Sequence, residues 1–145
     1  MSNLQIAEKC ANLLETKDLN GLRDVLAENF STEGPTAELN KQQAISYLGT
    51  LFTAFPDMTF GFIYFEEKQY LVTCDIHQKG THTGVLDLTP FGLPVSLHPT
   101  GKTFDLSVGG FVFGVENEKI IFFSESIREG GGLAGILAQL GVKIS

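Results

Sequence analysis

The order of its helical and strand-like segments is the feature that most restricts the fold of this chain. Over the first third, apolar residues recur every three or four positions, the spacing of one helical face. Three helices are predicted in succession: Leu4–Leu14, a shorter helix capped by Asp18 and carrying Leu19, Leu22, Val25 and Leu26, and a third that starts at Asn40 and ends before Pro56. Residues 30–35 should form a bent extended piece and a turn.

Beyond Pro56 the chain becomes rich in β-forming residues. Strands are predicted over Met58–Phe65, Tyr70–Gln78, Thr103–Val115 and Ile120–Ile127, with turns at Glu66–Lys68 and Glu116–Lys119. Gly109 and Gly110 predict a bulge or sharp bend within the third of these strands. The proline-rich stretch Val85–Gly101 is expected to be a long surface loop. A short helix, Leu133–Leu140, should follow the glycines at 130–132.

This order indicates one α+β domain over residues 1–145, in which a strongly curved, mostly antiparallel sheet wraps around the N-terminal helices and a short C-terminal helix closes the chain. A length of 145 residues suits a single domain with a core of its own. A sheet bent at glycines leaves a concavity beside the helices, and small ligands bind in concave apolar sites. The pattern therefore predicts a ligand cavity.

Charge and cysteine usage narrow the function classes. The net charge of −7 repels phosphate backbones and anionic lipid surfaces, so neither nucleic acid nor a membrane is an expected partner. Cys10 and Cys74 lack the spacing of a metal site and are expected to be buried thiols. No basic start precedes an apolar block, and no run approaches the roughly 18 apolar residues of a membrane span, so a cytoplasmic location is expected.

Five short segments carry a resemblance to a known family. They are Ala54–Met58 after the third helix, the Gly-Thr-His-Thr-Gly motif at Gly80–Gly84, Pro99–Lys102, Lys119-Ile120 at the start of the last strand, and Gln139–Gly141 in the closing helix. In their order and spacing they resemble the SnoaL-like polyketide cyclases, which belong to the NTF2-like superfamily of cone-shaped α+β folds. The resemblance implies a homodimer whose protomers each hold a deep, mostly apolar pocket, with no metal and no organic cofactor.

The resemblance also implies a catalytic residue that this chain lacks. Family cyclases use an aspartate near the end of the last strand as acid and base, four residues after a tryptophan. Aligned from Lys119-Ile120, those two positions are Arg128 and Ser124. An arginine stays protonated and cannot act as a base at neutral pH, but it can hold an anion. The carboxylates of Asp75, Asp87, Asp105 and Glu125 could replace the aspartate, although they are expected to face solvent, and Glu125 to point away from the pocket.

Seven residues are the resulting site candidates. His82 is the candidate proton handler, because imidazole titrates near neutral pH; the alternative is a histidine that only fixes a strand end. Arg128 is the candidate anion anchor, with no carboxylate expected beside it. The candidates for lining the cavity are Ser124, Phe122, Tyr47, Phe55 and His98, of which His98 could instead meet only water.

Three functions remain open at this stage. The first is an enzyme that cyclises or isomerises a small, polyketide-like carbonyl compound through His82 and Arg128. The second is a protein that binds a small apolar, acidic ligand without converting it, as the replaced aspartate suggests. The third is a dimeric interaction module. In all three, the apolar faces of the last two strands favour an isologous homodimer.

Overall fold

Three helices cover one face of a six-stranded sheet in the computed structural model, which describes residues 1–142. The helices are α1 (Asn3–Glu15), α2 (Leu19–Val25), α3 (Lys41–Ala54) and, near the C-terminus, α4 (Gly132–Gln139). The strands are β1 (Leu26–Glu33), β2 (Glu38–Asn40), β3 (Ile63–Lys68), β4 (Leu71–Ile76), β5 (Lys79–Thr81), β6 (Leu86–Asp87), β7 (Ser96–Leu97), β8 (Thr103–Asp105), β9 (Gly109–Glu116) and β10 (Lys119–Glu125). Among the described residues, no helix has the length and apolar character to cross a membrane.

The helices begin where side-chain caps predict them. The Asp18 carboxylate accepts a hydrogen bond from the Gly21 N–H, and the Asn40 side chain accepts one from Gln43, whose own side chain bonds back to the backbone of Asn40. Such reciprocal caps satisfy N–H groups that have no partner inside the helix. Pro56 then prevents α3 from continuing, as expected.

The large sheet has the strand order β2-β1-β10-β9-β4-β3, and every neighbouring pair is antiparallel except β1 with β10. It stays open, with β2 and β3 as its edges. Two separate two-stranded sheets are formed by β5 with β8 and by β6 with β7. This is the predicted α+β fold of the NTF2-like type, a curved and mostly antiparallel sheet around the N-terminal helices.

Phenylalanines and aliphatic side chains fill the space between sheet and helices. Along β4, the buried side chains of Val72, Cys74 and Ile76 alternate with more exposed ones, the mark of a strand with one covered face. Both cysteines are buried, as predicted, and burial raises the pKa of the Cys74 thiol to about 12. The core thus covers only the inner face of the sheet.

The bounds predicted for the edge strand, and the turn predicted after it, were wrong. β3 begins at Ile63, and it runs through the Glu66–Lys68 segment that was predicted to be a turn. The chain instead reverses after Lys68, where Gln69 has a φ of 59°. The preceding Met58–Phe60 segment is extended but pairs with residues 77–79, through a bridge between Thr59 and Lys79.

Other boundaries also differ from the expectations. The segment 26–33 forms a full strand, β1, rather than the end of a helix and a bent piece. The predicted loop at 85–101 contains the β6–β7 hairpin and a short 3-10 turn. The predicted strand Thr103–Val115 is divided into β8 and β9 by residues 106–108, directly before the glycines that predicted a bend.

Candidate functional site

A cavity of about 380 Å³ lies between α1, α3 and the inner face of the sheet. Its helical wall consists of Leu14, Ala44, Tyr47, Leu48 and Leu51, its opposite wall includes Met58, Phe60, Gln78, Phe111 and Phe123, and its rim is formed by residues 32–35, 124–128 and 131–134 together with Ile136. The volume falls in the range of small-molecule sites, roughly 300–1,000 Å³. Most of the walls are apolar, so the few polar side chains determine the chemistry.

A wider surface groove, about 1240 Å³, lies between α2, the start of α3 and the β9–β10 turn. It is open to solvent, and several of its charges already have partners. Lys41 forms a salt bridge with Glu28 at 3.1 Å, and the Lys119 ammonium donates to the backbone oxygen of Asp24. The smaller apolar cavity is therefore the better candidate for a ligand site.

Glu125 and Arg128 form an ion pair at the rim of the cavity. Arg128 Nη1 donates to Glu125 Oε2 across 3.2 Å, and the two side chains are only 14% and 28% exposed for arginine and glutamate respectively. The same guanidinium donates to the backbone oxygens of Ser107, at 2.8 Å from Nη2, and of Ser126. The expectations that Glu125 points away from the cavity, and that no carboxylate lies beside Arg128, were both wrong.

A β-bulge explains the inward position of Glu125. The pairing of β10 with β9 shifts register between Ile120 and Phe122, and one extra residue at this point exchanges the two faces of the strand. Phe123 and Glu125 consequently face the cavity. Phe122 lies on the opposite face against Gly114, so close that a Cβ at position 114 would be 2.3 Å from its ring. Phe122 is therefore not among the residues that line the cavity, contrary to the expectation.

Two glycines provide the space for the Arg128 side chain. A Cβ at Gly109 would lie 2.5 Å from the guanidinium carbon, and one at Gly131 would lie 2.6 Å from Arg128 Cγ. β10 ends at Glu125, so Arg128 itself lies in the loop and its side chain turns back across the start of β9. Gly109 thus has a consequence besides the predicted bend, since together with Gly131 it leaves room for a cation beside the Glu125 carboxylate.

Tyr47 contributes a phenol on the helical wall. It lies on α3, its ring packs edge-on against Phe91 with ring centroids 5.2 Å apart, and it lines the cavity. Burial, and secondarily the negative charge of Glu125, raise the pKa of Tyr47. The phenol therefore stays protonated and can donate a hydrogen bond at any physiological pH.

His82 lies outside the cavity lining and is fully buried, with 0% exposure. Its Nδ1 accepts a hydrogen bond from the Thr100 N–H and lies 2.9 Å from Thr100 Oγ1, while its ring packs against Phe55 with centroids 5.5 Å apart. Its backbone also bonds to Gly101 and Lys102. Burial lowers the pKa of His82. These contacts are those of a residue that fixes a strand end.

The other candidates divide in the same way. Arg128 and Tyr47 line the cavity. Ser124 borders it at the rim, but it lies between the inward-facing Phe123 and Glu125 and pairs with Val112, so strand alternation places its side chain on the outer face. Phe55 is completely buried between His82 and Phe104, away from the cavity. His98 is exposed in the segment that leads from β7 to β8, and it does not reach the rim. The structure therefore groups two of the seven candidates and adds two residues that sequence reasoning did not assign to the site, Glu125 and Gln78.

No group of three or more His, Cys, Asp or Glu side chains within residues 1–142 is arranged to hold a metal ion. Arg128, Glu125, Tyr47 and Gln78 provide a cation, a carboxylate, a hydroxyl and an amide around an apolar space. Such a set can hold an oxygen-bearing ligand, donate to a developing oxyanion and exchange a proton.

An open curved sheet over helices, with an apolar cavity between them, defines the chain as a small α+β protein of the NTF2-like class. The sequence profile of the SnoaL-like polyketide cyclases matches residues 4–123, and the chain belongs to this family. The match ends one residue before Ser124 and does not include Arg128. Among curated protein sequences no relative was found.

Solved structures support the same fold. IdmH from Streptomyces antibioticus, a candidate polyketide cyclase, superimposes with a TM-score of 0.70 at 19% identity over 98% of this chain and 100% of its own. A candidate polyketide cyclase from Pseudomonas putida reaches 0.74 at 14% identity over 96% and 98%. AclR from Streptomyces galilaeus, a candidate hydroxylase, reaches 0.72 at 15% identity over 96% and 95%. One fold thus carries different proposed chemistries, and the site must be argued from its residues.

Proposed function

We propose that this protein catalyses proton transfer on a small, apolar carbonyl compound, in a ring closure or an isomerisation, with Glu125 as the base. The observation that carries the proposal is the presence of the Glu125 carboxylate and the Tyr47 phenol on the same mostly apolar cavity. A carboxylate in such surroundings can remove a proton next to a carbonyl group. Family membership supports a reaction of the cyclase or isomerase type.

The steps follow from the chemistry of the two groups. The Glu125 carboxylate takes a proton from the carbon next to the carbonyl, which leaves an enolate, and the Tyr47 hydroxyl donates a hydrogen bond to the enolate oxygen. In a ring closure the enolate carbon then attacks a second carbonyl carbon, and a carbon–carbon bond forms. The resulting alkoxide recovers the proton from the Glu125 carboxylic acid, so the enzyme ends in its starting state.

Arg128 acts through Glu125 in this proposal. Its guanidinium already bonds to the Glu125 carboxylate and to two backbone oxygens, so it positions the base. The negative charge beside it also disfavours a second anion in the cavity. The acidic ligand expected from an unpaired Arg128 is therefore replaced in the proposal by a neutral carbonyl compound.

Hydrogen exchange tests this proposal without knowledge of the natural substrate. β-Tetralone, a small bicyclic ketone, is incubated with the protein in D2O, and loss of its α-proton signals is followed by NMR. The wild type should accelerate the exchange, and Glu125→Gln should lower the enzymatic rate by about 100-fold or more, the scale of general base catalysis. The control Glu129→Gln removes an exposed carboxylate outside the cavity and should leave the rate unchanged.

Ligand binding without turnover is the second candidate function. Its supporting observation is that the Glu125 carboxylate is already paired with the Arg128 guanidinium, so the two groups can serve as a structural ion pair at the rim of a binding cavity. If this function is the correct one, the wild type binds β-tetralone, as measured by calorimetry, but exchanges its protons no faster than Glu125→Gln does.

A further inference from the structure

Gln78 is a buried polar side chain that the proposed reaction does not use. It lies between β4 and β5, its residue is only 8% exposed, and it lines the cavity. Within residues 1–142, its side-chain oxygen Oε1 has no hydrogen-bond partner. A buried amide in this state costs folding free energy, so native proteins rarely retain one without a reason.

The surroundings of Gln78 explain why the protein itself does not satisfy the amide. Phe60, which accepts the His77 N–H through its backbone oxygen at 2.8 Å, and Met58 present apolar side chains to the same cavity. The Gln78 backbone oxygen is occupied by the Leu106 N–H at 2.9 Å. The backbone is therefore held on both sides, and the side-chain oxygen is left without a partner within residues 1–142, on a residue that lines the cavity.

Gln78 and Arg128 are connected through two consecutive residues. Leu106 bonds to the backbone of Gln78, and the next residue, Ser107, accepts two hydrogen bonds from the Arg128 guanidinium through its backbone oxygen. The Gln78 amide and the ion pair of Glu125 with Arg128 thus line the same cavity, on segments joined by this backbone link. Leucine side chains of α1 and α3 form the facing apolar wall.

We propose that Gln78 determines the specificity of the cavity by binding a hydroxyl group on an apolar ring ligand. A hydroxyl can donate to the amide oxygen and accept from the amide nitrogen at once, whereas an ether or ketone oxygen only accepts and leaves Oε1 unpaired. This inference deepens the proposed function, because it names a second oxygen substituent on the compound that Glu125 would deprotonate.

The test uses three neutral probes of similar shape: β-naphthol, its methyl ether and naphthalene. The wild type should bind β-naphthol about tenfold more tightly than the ether, which corresponds to about 1.4 kcal/mol. Gln78→Met keeps the length of the side chain and removes the amide, so it should abolish this preference. Gln42→Met, which replaces an exposed glutamine of α3 outside the cavity, is the matched control and should keep the preference.

The melting temperature of the ligand-free variants separates a binding role from a structural one. Gln78→Met should melt at a higher temperature than the wild type, because it removes a buried amide with an unpaired oxygen. Three results would overturn the inference: a wild type that does not prefer β-naphthol, a Gln78→Met variant that keeps the preference, or one that melts lower and weakens all three probes equally.

The outcome is separable from that of the proposed function. Loss of the β-naphthol preference in Gln78→Met, in a protein that fails to exchange β-tetralone protons, would support the Gln78 site and reject Glu125 catalysis. Exchange of β-tetralone protons that depends on Glu125, in a protein without any preference for β-naphthol, would support Glu125 catalysis and reject the Gln78 site.

Discussion

The Arg128 guanidinium donates a hydrogen bond to the Glu125 carboxylate across 3.2 Å, and both side chains line the same cavity. A cation thus lies where the family pattern leads one to expect the catalytic aspartate, and a carboxylate lies three residues earlier. The pair keeps the local charge close to neutral while it leaves a carboxylate in the cavity.

Removal of Arg128 should show how much the ion pair with Glu125 contributes to the free energy of unfolding. Arg128→Met leaves Glu125 without its cation and should lower the free energy of unfolding by about 1–2 kcal/mol, between the values typical of exposed and buried pairs. The double variant Glu125→Gln/Arg128→Met should lose about 1 kcal/mol less than the sum of the single changes, measured by urea unfolding. Strictly additive losses would show that the two side chains do not interact in solution.

Gly109→Ala should displace the Arg128 guanidinium. The new methyl group would lie 2.5 Å from the guanidinium carbon, and because an arginine tip is flexible, it should move rather than disrupt the fold. We expect β-tetralone exchange to fall about tenfold while the free energy of unfolding changes by less than about 1 kcal/mol.

The neighbouring glycine supplies the control for that experiment. A Cβ at Gly110 would meet only the Ser126 Cβ, at 3.9 Å, so Gly110→Ala should keep the wild-type exchange rate. If Gly109→Ala and Gly110→Ala have the same rate, the position of Arg128 has no influence on the reaction.

Burial of His82 should make the protein less stable in mild acid. Burial lowers the pKa of this histidine, so the unfolded state binds the proton more readily, and stability is lost as the pH falls below about 6.5. His82→Asn offers an oxygen to the Thr100 N–H without a titratable group. Between pH 7 and 5.5, the wild type should lose about 1 kcal/mol more than this variant.

The control for the histidine prediction is His98→Asn, which removes an exposed imidazole. The pH dependence of its urea unfolding should follow that of the wild type. A His82→Asn variant with the same pH dependence as the wild type would mean that His82 is accessible to protons in the folded state.

The outer face of the sheet is the expected dimer interface. Val112 and Phe122 lie on this face, and both are partly exposed. We expect a homodimer at micromolar concentration in sedimentation, and Val112→Lys should convert it to a monomer, since a charge in a two-fold interface is repeated in the partner. A wild-type monomer at that concentration would argue against the interface.

The helices could be predicted from the sequence because their signals are local. Asp18 and Asn40 cap the helices that follow them, and Pro56 ends α3, as the sequence indicated. The edge strand β3 could not be placed, because almost all its side chains are exposed and the alternation of buried and exposed positions is absent. The parallel pairing of β1 with β10 joins distant segments, and no local signal indicates it.

The site was harder to predict for one physical reason. Strand parity assigned Phe122 to the cavity and Glu125 to solvent, and a single bulge near Ile121 exchanged their positions. Such a bulge depends on the register with β9, which the sequence of β10 alone does not reveal. Arg128 was identified as a candidate from its place in the family pattern, whereas its pairing with Glu125 can be seen only in the folded structure.

The rescue of proton exchange by a relocated carboxylate is the measurement that tests the role of Glu125 most directly. Glu125→Gln should lose the acceleration of β-tetralone exchange by about 100-fold. Glu125→Gln/Arg128→Asp, with a carboxylate at the position of the family aspartate, should recover at least part of it. A Glu125→Gln variant that exchanges β-tetralone at the wild-type rate would contradict the assignment of Glu125 as the base.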